Sequence, residues 1–227
     1  MQPLHIDRPI VSFTFDDCPL SVMANGLRPL EKQGWRGTVY VAMGLCGSTN
    51  HLGLHMSEDD VKAVYESGHE IGDHSFSHID GSQIPLEIFL SDIERNQQAL
   101  ADLGIPPSQT FAYPYGEATP ALKQALEPLF KGARSIRSQL HRDRVDLNQI
   151  GSNRLYSGPD FTRLIRDINS LSAKPAWLCI FTHDIRDNPS PYGCTPAEMA
   201  MVIKAVKHSG ADVLPVNDVL ARMESYS

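Results

Sequence analysis

Cysteine is scarce. The 227 residues include four, Cys18, Cys46, Cys179 and Cys194, with no Cys-x-x-Cys among them. That number and scatter exclude a disulfide framework, so all four are read as thiols. Long apolar runs are missing as well. No stretch approaches the roughly 20 residues that span a bilayer, and Met1-Gln2-Pro3-Leu4-His5 has no leader-peptide pattern. The chain is therefore expected to be soluble and cytoplasmic, with no membrane partner; a secreted chain trimmed of its leader would read the same. Basic clusters are absent too. Net charge is −7, from 20 Lys and Arg against 27 Asp and Glu. Nucleic acid is excluded as the expected partner, and a strongly anionic polymer is disfavoured unless a local patch overrides the total. Internal repeats and low-complexity tracts are lacking, and nothing in the sequence bears on oligomeric state.

What is present is an alternation. Apolar strands are predicted at 9–15, 38–41, 69–72, 110–113, 132–136, 176–181 and 211–214. Helical patterns fall between them at 21–32, 58–67, 85–103, 120–126, 161–171, 195–208 and 216–223. Ser57 before Glu58-Asp59-Asp60, and Thr195 before Pro196 and Glu198, read as N-caps with early acids. Ile88, Phe89, Ile93 and Leu100 form the apolar side of the 85–103 helix, which Gly104 and Pro106-Pro107 end. Two segments carry no period. Segment 43–56 reads as a surface loop rich in Gly, Ser and Asn, and it holds His51 and His55. Segment 137–153, with Arg137, His141, Arg142 and Arg144, reads as a solvated loop or as a substrate-binding lid. The length suits one domain over 1–227. Strand–helix alternation predicts a parallel sheet under helices. A barrel with reactive residues at its strand ends and a doubly wound open sheet both satisfy it.

Chemistry gathers at two predicted strand ends. Ile10-Val11-Ser12-Phe13-Thr14-Phe15 runs into two adjacent carboxylates, Asp16 and Asp17. His74 and His78 follow the 69–72 strand, four positions apart, and a helical turn there would send both imidazoles to one side. Either feature alone has a plain reading, a helix cap or a polar helix face. Together, one carboxylate and two imidazoles make an open three-ligand zinc site, whose ion acidifies a water and polarises a carbonyl.

Four stretches carry a family resemblance. Thr14-Phe15-Asp16-Asp17 resembles the first motif of the polysaccharide deacetylases, the NodB-homology group or carbohydrate esterase family 4. His74-Ser75-Phe76-Ser77-His78 resembles the second, Phe111-Ala112-Tyr113-Pro114-Tyr115-Gly116 the third, and Ile180-Phe181-Thr182-His183 the last, all in family order. The resemblance implies an α/β fold, a single-domain distorted (β/α) barrel of seven strands. It implies a metal-dependent hydrolase that removes acetyl groups from an N- or O-acetylated carbohydrate, with a metal-bound water as nucleophile. One divalent ion is implied, zinc first, with cobalt or nickel as alternatives. By the same resemblance Asp17, His74 and His78 are its ligands, Asp16 the general base, His183 the general acid, and the Tyr115 backbone N–H the oxyanion donor. Pro114, Tyr115 and Trp177 are the expected substrate contacts, although Trp177 on its apolar strand also reads as core. Asp184 either orients an imidazole or caps a turn.

The match has gaps. Family members carry Gly after the Asp pair, where this chain has Cys18, a space-filling thiol or one that approaches the metal. The third motif of the family carries an Arg that pairs with the base, and here that position is Ala112. A cation from another strand end is expected to replace it, and Arg134 in Gly132-Ala133-Arg134-Ser135-Ile136 is the candidate. The fourth motif's aspartate is not legible among Asp143, Asp146 and Asp160. Two other functions stay open: hydrolysis of non-sugar amides such as cyclic ureides or imides, and an idle barrel that binds carbohydrate or a protein partner.

Overall fold

A computed structural model describes residues 1–225. At its centre is a curled parallel sheet. Its strands are β1 Ile10–Asp16, β2 Thr38–Val41, β3 Glu70–Asp73, β4 Thr110–Ala112, β5 Gly132–Arg134, β6 Asn153–Arg154 and β7 Trp177–Thr182. In space they run β6-β7-β1-β2-β3-β4-β5, with every neighbouring pair parallel. One bridge completes the ring. The Ile150 N–H donates to the Ala133 carbonyl, and the Ser135 N–H donates to the Ile150 carbonyl, each at 2.8 Å. Three residues later the same segment joins β7 as β6. This is the distorted seven-stranded barrel that the resemblance implies. An eighth short strand, β8 Asp212–Val213, pairs with the foot of β1 at Ile10 and Val11, before β2 joins the same edge at Thr14.

The strands that were plainest in sequence are those covered on both faces. Every residue of β1 and β7 is buried, and six register pairs join the two. Strands of this kind read as continuous apolar runs because neither face meets water. Around them pack α1 Arg28–Glu31, entered through a π-helical turn at Met23–Leu27, then α2 Glu58–Glu66, α3 Leu86–Asp102, α4 Pro120–Leu126, α5 Pro159–Ser170, α6 Pro196–Ser209 and α7 Val216–Glu224. Phe13, Phe15, Val39 and Leu178 share one core with Leu30, Val61, Leu164 and Val202. Each such side chain contributes about 1.5–3 kcal/mol by leaving water. Both expected N-caps form full capping boxes, Ser57 with Asp60 and Thr195 with Glu198.

Three expectations need correction. On α3 the buried stripe is Phe89, Ile93, Asn96 and Leu100, spaced four, three and four, while Ile88 falls off that stripe and is exposed. Segment 137–153 is neither a solvated loop nor a lid. His141 exchanges backbone hydrogen bonds with Trp177 at 3.0 and 2.8 Å, Arg144–Val145 pairs with Gln2–Pro3, and the end of the segment is β6. In segment 43–56, a 3-10 turn Met43–Leu45 precedes a small hairpin, Thr49–Asn50 against Gly53–Leu54. His51 is exposed on it, but His55 is buried.

Candidate active site

Parallel strands present their C-terminal ends at one mouth. There β1 ends at Asp16, followed by Asp17; β3 ends at Asp73, just before His74; β5 ends at Arg134, β6 at Arg154, and β7 at Thr182, just before His183. Asp17 Oδ1 lies 3.3 Å from His74 Nε2 and 3.1 Å from His78 Nε2. One donor atom from each of the three residues falls within 4.8 Å of the others. His74 Nδ1–H donates to the Ala112 carbonyl at 2.7 Å, so Nε2 is the atom it turns toward Asp17; burial opposes its charge, but the Asp17 and Asp16 carboxylates raise its pKa. Burial, with His74 beside it, pushes the His78 pKa down to about 4, which keeps that imidazole neutral. Burial opposes charge on Asp17, yet His74, His78 and His183 together hold its carboxyl well below the usual range. Asp17 Oδ1 is buried and has no hydrogen-bond donor. An ionised carboxylate and two imidazole nitrogens converge on one point, and a divalent cation that displaces the His74 proton fits this donor set.

The loop that brings the two histidines together is not the helical turn that their spacing suggests. Ser75 and His78 both adopt left-handed backbone, φ 54° and 50°. These two bends fold His78 back until its ring meets that of His74 edge-on at 4.8 Å. Asp73 accepts from the Ser75 N–H, and Asp92 of α3 accepts from both the backbone and the hydroxyl of Ser77. Asp17 and Cys18 are left-handed too, φ 63° and 51°. Glycine adopts that conformation without steric cost. Cys18 is fully buried in the core and is not part of the donor cluster, so its thiol fills space.

The empty arginine position at Ala112 is filled from the neighbouring strand. Ala112 and Arg134 are register partners on β4 and β5, so Arg134 arrives at the same height. It is fully buried, and its Nη2 donates to Asp16 Oδ2 at 2.5 Å. The guanidinium carbon sits 5.0 Å from the Phe181 ring centre and 5.2 Å from that of Tyr40, a cation–π clamp. Asp16 Oδ1 is buried and unpartnered.

His183 Nδ1–H donates to the Tyr192 carbonyl at 3.1 Å, and its Nε2 lies 4.0 Å from Asp17 Oδ2. No aspartate orients it. Asp184 instead accepts from the Ser190 N–H, the Ser190 hydroxyl and Arg186 Nε, which makes it a turn brace. Asp146 pairs with Lys123, the Asp143 carbonyl accepts from the Leu4 N–H, and Asp160 sits in the first turn of α5. Tyr115, at φ 60°, holds its ring 4.8 Å from that of His78.

Asp16, Asp17, His74, His78, Tyr115 and His183 line a cavity of about 510 Å³ together with His51, Arg154, Tyr156, Phe181 and Tyr192. Two expected substrate contacts lie elsewhere. Pro114 is buried and does not line the cavity. Trp177 is the first residue of β7, at the foot of the barrel, where its Nε1–H donates to Ser12 Oγ at 3.0 Å and its ring packs on His141. Its place at the closed end of a parallel strand makes it core. Arg154, Tyr156 and Tyr192 were not legible beforehand, because β6 is two residues long and no motif surrounds them.

A divalent-cation donor set at the mouth of a parallel barrel, beside a second carboxylate clamped by arginine, defines a metal-dependent hydrolase. The family model "Polysaccharide deacetylase" matches residues 5–129, more than half of the chain, and the protein belongs to that family. Solved structures share its fold. The Xyl-CE4 domain of a multidomain xylanase from the hindgut metagenome of Trinervitermes trinervoides is 16% identical, with a TM-score of 0.65 over 96% of this chain and 92% of that one. A family 4 acetyl xylan esterase from Clostridium thermocellum, in complex with a cobalt ion, is 20% identical, with a TM-score of 0.65 over 94% and 91%. The chitin deacetylase from Colletotrichum lindemuthianum is 15% identical, with a TM-score of 0.65 over 95% and 89%. No curated protein sequence matches the chain.

Proposed function

We propose that this protein removes acetyl groups from an N- or O-acetylated carbohydrate, using one zinc ion held by Asp17, His74 and His78. The observation that carries the reading is the meeting of those three donors beside an Asp16 that Arg134 holds from one side. The family gives the reaction class. A chitin deacetylase and an acetyl xylan esterase among the structural neighbours support the sugar substrate, and the esterase's cobalt ion supports a divalent metal. When bound, the ion polarises the acetyl carbonyl and makes a nearby water acidic.

The chain's own residues supply the rest. Asp16 accepts the proton of the attacking water at Oδ1, the oxygen that Arg134 leaves free. Arg134 fixes the plane of that carboxylate through Oδ2. The Tyr115 backbone N–H donates to the developing oxyanion. His183 delivers a proton from Nε2 to the departing nitrogen or oxygen, while its Nδ1–H stays on the Tyr192 carbonyl. An idle barrel would have no need of a cation on Asp16, and the Arg134 contact there supports the enzyme reading instead.

The test is acetate release by the purified protein, first stripped with chelator and then reloaded with Zn²⁺ or Co²⁺. Chitooligosaccharides, acetylated xylan and small cyclic imides are offered in parallel. Metal-restored release from either acetylated saccharide is the expected result. Turnover of imides alone would overturn the sugar assignment, and inactivity on all three with metal bound would overturn the enzyme.

A further inference from the structure

The cavity holds a cation that the deacetylation chemistry leaves unused. Arg154 ends β6 and lines the cavity, half-buried. It is in register with Phe181 of β7, and register partners in a parallel sheet leave on the same face. Phe181 faces the cavity and packs under the Arg134 guanidinium. The neighbouring arginines are engaged: Arg134 by Asp16, and Arg186 by Asp184 and the His51 carbonyl. Among the described residues the Arg154 side chain makes no hydrogen bond or ion pair. Two positions on, Tyr156 lines the same cavity, its ring packed on Phe181 and His183 and its hydroxyl likewise without a hydrogen-bond partner. Tyr192 packs on Tyr156 and meets the ring of His51 edge-on at 5.8 Å, while Arg186 donates to the His51 carbonyl at 2.9 Å. The hairpin that carries His51 and the loop that carries Tyr192 thus form one wall beside β6.

Charge counting sharpens the point. Asp16 and Asp17 are offset by Arg134 and a divalent cation, so Arg154 adds to a mouth that is already positive, in a protein of net charge −7. A neutral sugar could offer that guanidinium hydroxyl acceptors but no charge to pair with it. A carboxylate would take a forked pair of hydrogen bonds from Arg154 and a third from Tyr156.

We propose that the substrate of this site is an acetylated sugar acid, whose carboxylate is bound by Arg154 with Tyr156 beside it. The proposal rests on the deacetylase reading for the reaction but not for the binding. Two measurements separate them, both on the full, zinc-loaded chain. In the first, glucuronate and glucose are titrated by calorimetry. Glucuronate is expected to bind about tenfold or more tightly than glucose, as one hydrogen-bonded charge pair implies. Arg154→Gln should bring the ratio to about one, and Arg154→Lys should keep part of it. In the second, acetate release is compared between an acetylated sugar acid and its carboxamide. The acid should be preferred through KM, with the preference erased in Arg154→Gln and weakened by salt. Equal binding of glucuronate and glucose, or a ratio untouched in Arg154→Gln, would overturn the subsite and leave the deacetylase standing. Arg154-dependent glucuronate binding without any acetate release would uphold the subsite and sink the deacetylase instead.

Discussion

Asp16 divides its two carboxylate oxygens between structure and chemistry. Oδ2 takes the Arg134 guanidinium at 2.5 Å, and Oδ1 stays without a donor. Both partners are buried, so removing one leaves an uncompensated charge, a loss of about 3–5 kcal/mol. Arg134→Ala is therefore expected to lower the urea midpoint sharply as well as the turnover. Arg134→Lys separates the two effects: it keeps the charge, loses the fork, and should fold and hold stoichiometric metal while kcat falls about tenfold or more. A folded Arg134→Lys that fails to retain metal would mean that Arg134 braces the metal-binding residues rather than the base alone. His183 gives a second test at this scale. A good leaving group needs little protonation, so His183→Ala should cost far more with acetamides than with activated aryl acetates. Equal losses on both would remove His183 as the acid. Arg134 was legible in the sequence because a family position stood empty, and the Ala112–Arg134 register shows how one strand's vacancy is filled by the next. Trp177 opens the strand whose far end leads to His183, and that distance along the strand, legible in the sequence, already set it at the foot of the barrel.

Element boundaries follow the same logic. Strands β1 and β7 were readable because both faces are buried, whereas β6 closes the ring with two polar residues that show no period. The His74–His78 spacing fits a helix, yet two left-handed residues bring the same donors together, and spacing alone does not distinguish the routes. The least legible feature is Asn96, a polar residue within the apolar stripe of α3. Its side chain accepts from the Met43 N–H and donates to the Val41 carbonyl, both at 2.9 Å, and so ties the helix to the end of β2. That carbonyl also receives the His74 N–H at 3.2 Å. Asn96→Leu preserves size but leaves the Met43 N–H without its acceptor and the Val41 carbonyl with the His74 N–H alone, a loss of about 1–3 kcal/mol. The weakened tie should also loosen the His74 loop. Chemical denaturation should show the lower stability, and metal titration the lower affinity. Unchanged affinity in a destabilised Asn96→Leu would limit Asn96 to holding the helix.

At the scale of the whole molecule, buried histidines set an acid limit on the fold. His69 accepts from the Gly37 N–H at Nδ1 and donates to Glu31 from Nε2. His141 donates from Nε2 to the Gly151 carbonyl at 3.0 Å, and its Nδ1 is buried without a partner. Burial lowers the pKa of both, with Glu31 opposing it at His69. A lowered histidine pKa means that the unfolded chain binds more protons once the pH drops below about 6.5. The stability these residues preserve is then complete above that pH and is lost as pH falls toward the folded value, by at most about 1.4 kcal/mol per unit for each histidine. Glu70 and Asp73 act in the opposite sense. Burial raises both, so their share is complete at low pH and is lost as pH rises, for Asp73 up to about 7. The net slope of the native protein therefore mixes signs, and a paired variant isolates one group. His141→Phe keeps a ring on Trp177, cannot titrate, and loses the Gly151 bond by an amount that does not depend on pH. Measured by urea denaturation, its stability relative to the native protein should improve between pH 7.5 and pH 5.5, by up to about 1.4 kcal/mol for the single unit below 6.5. A difference that stays flat across that window would mean that His141 takes up its proton equally well in the fold.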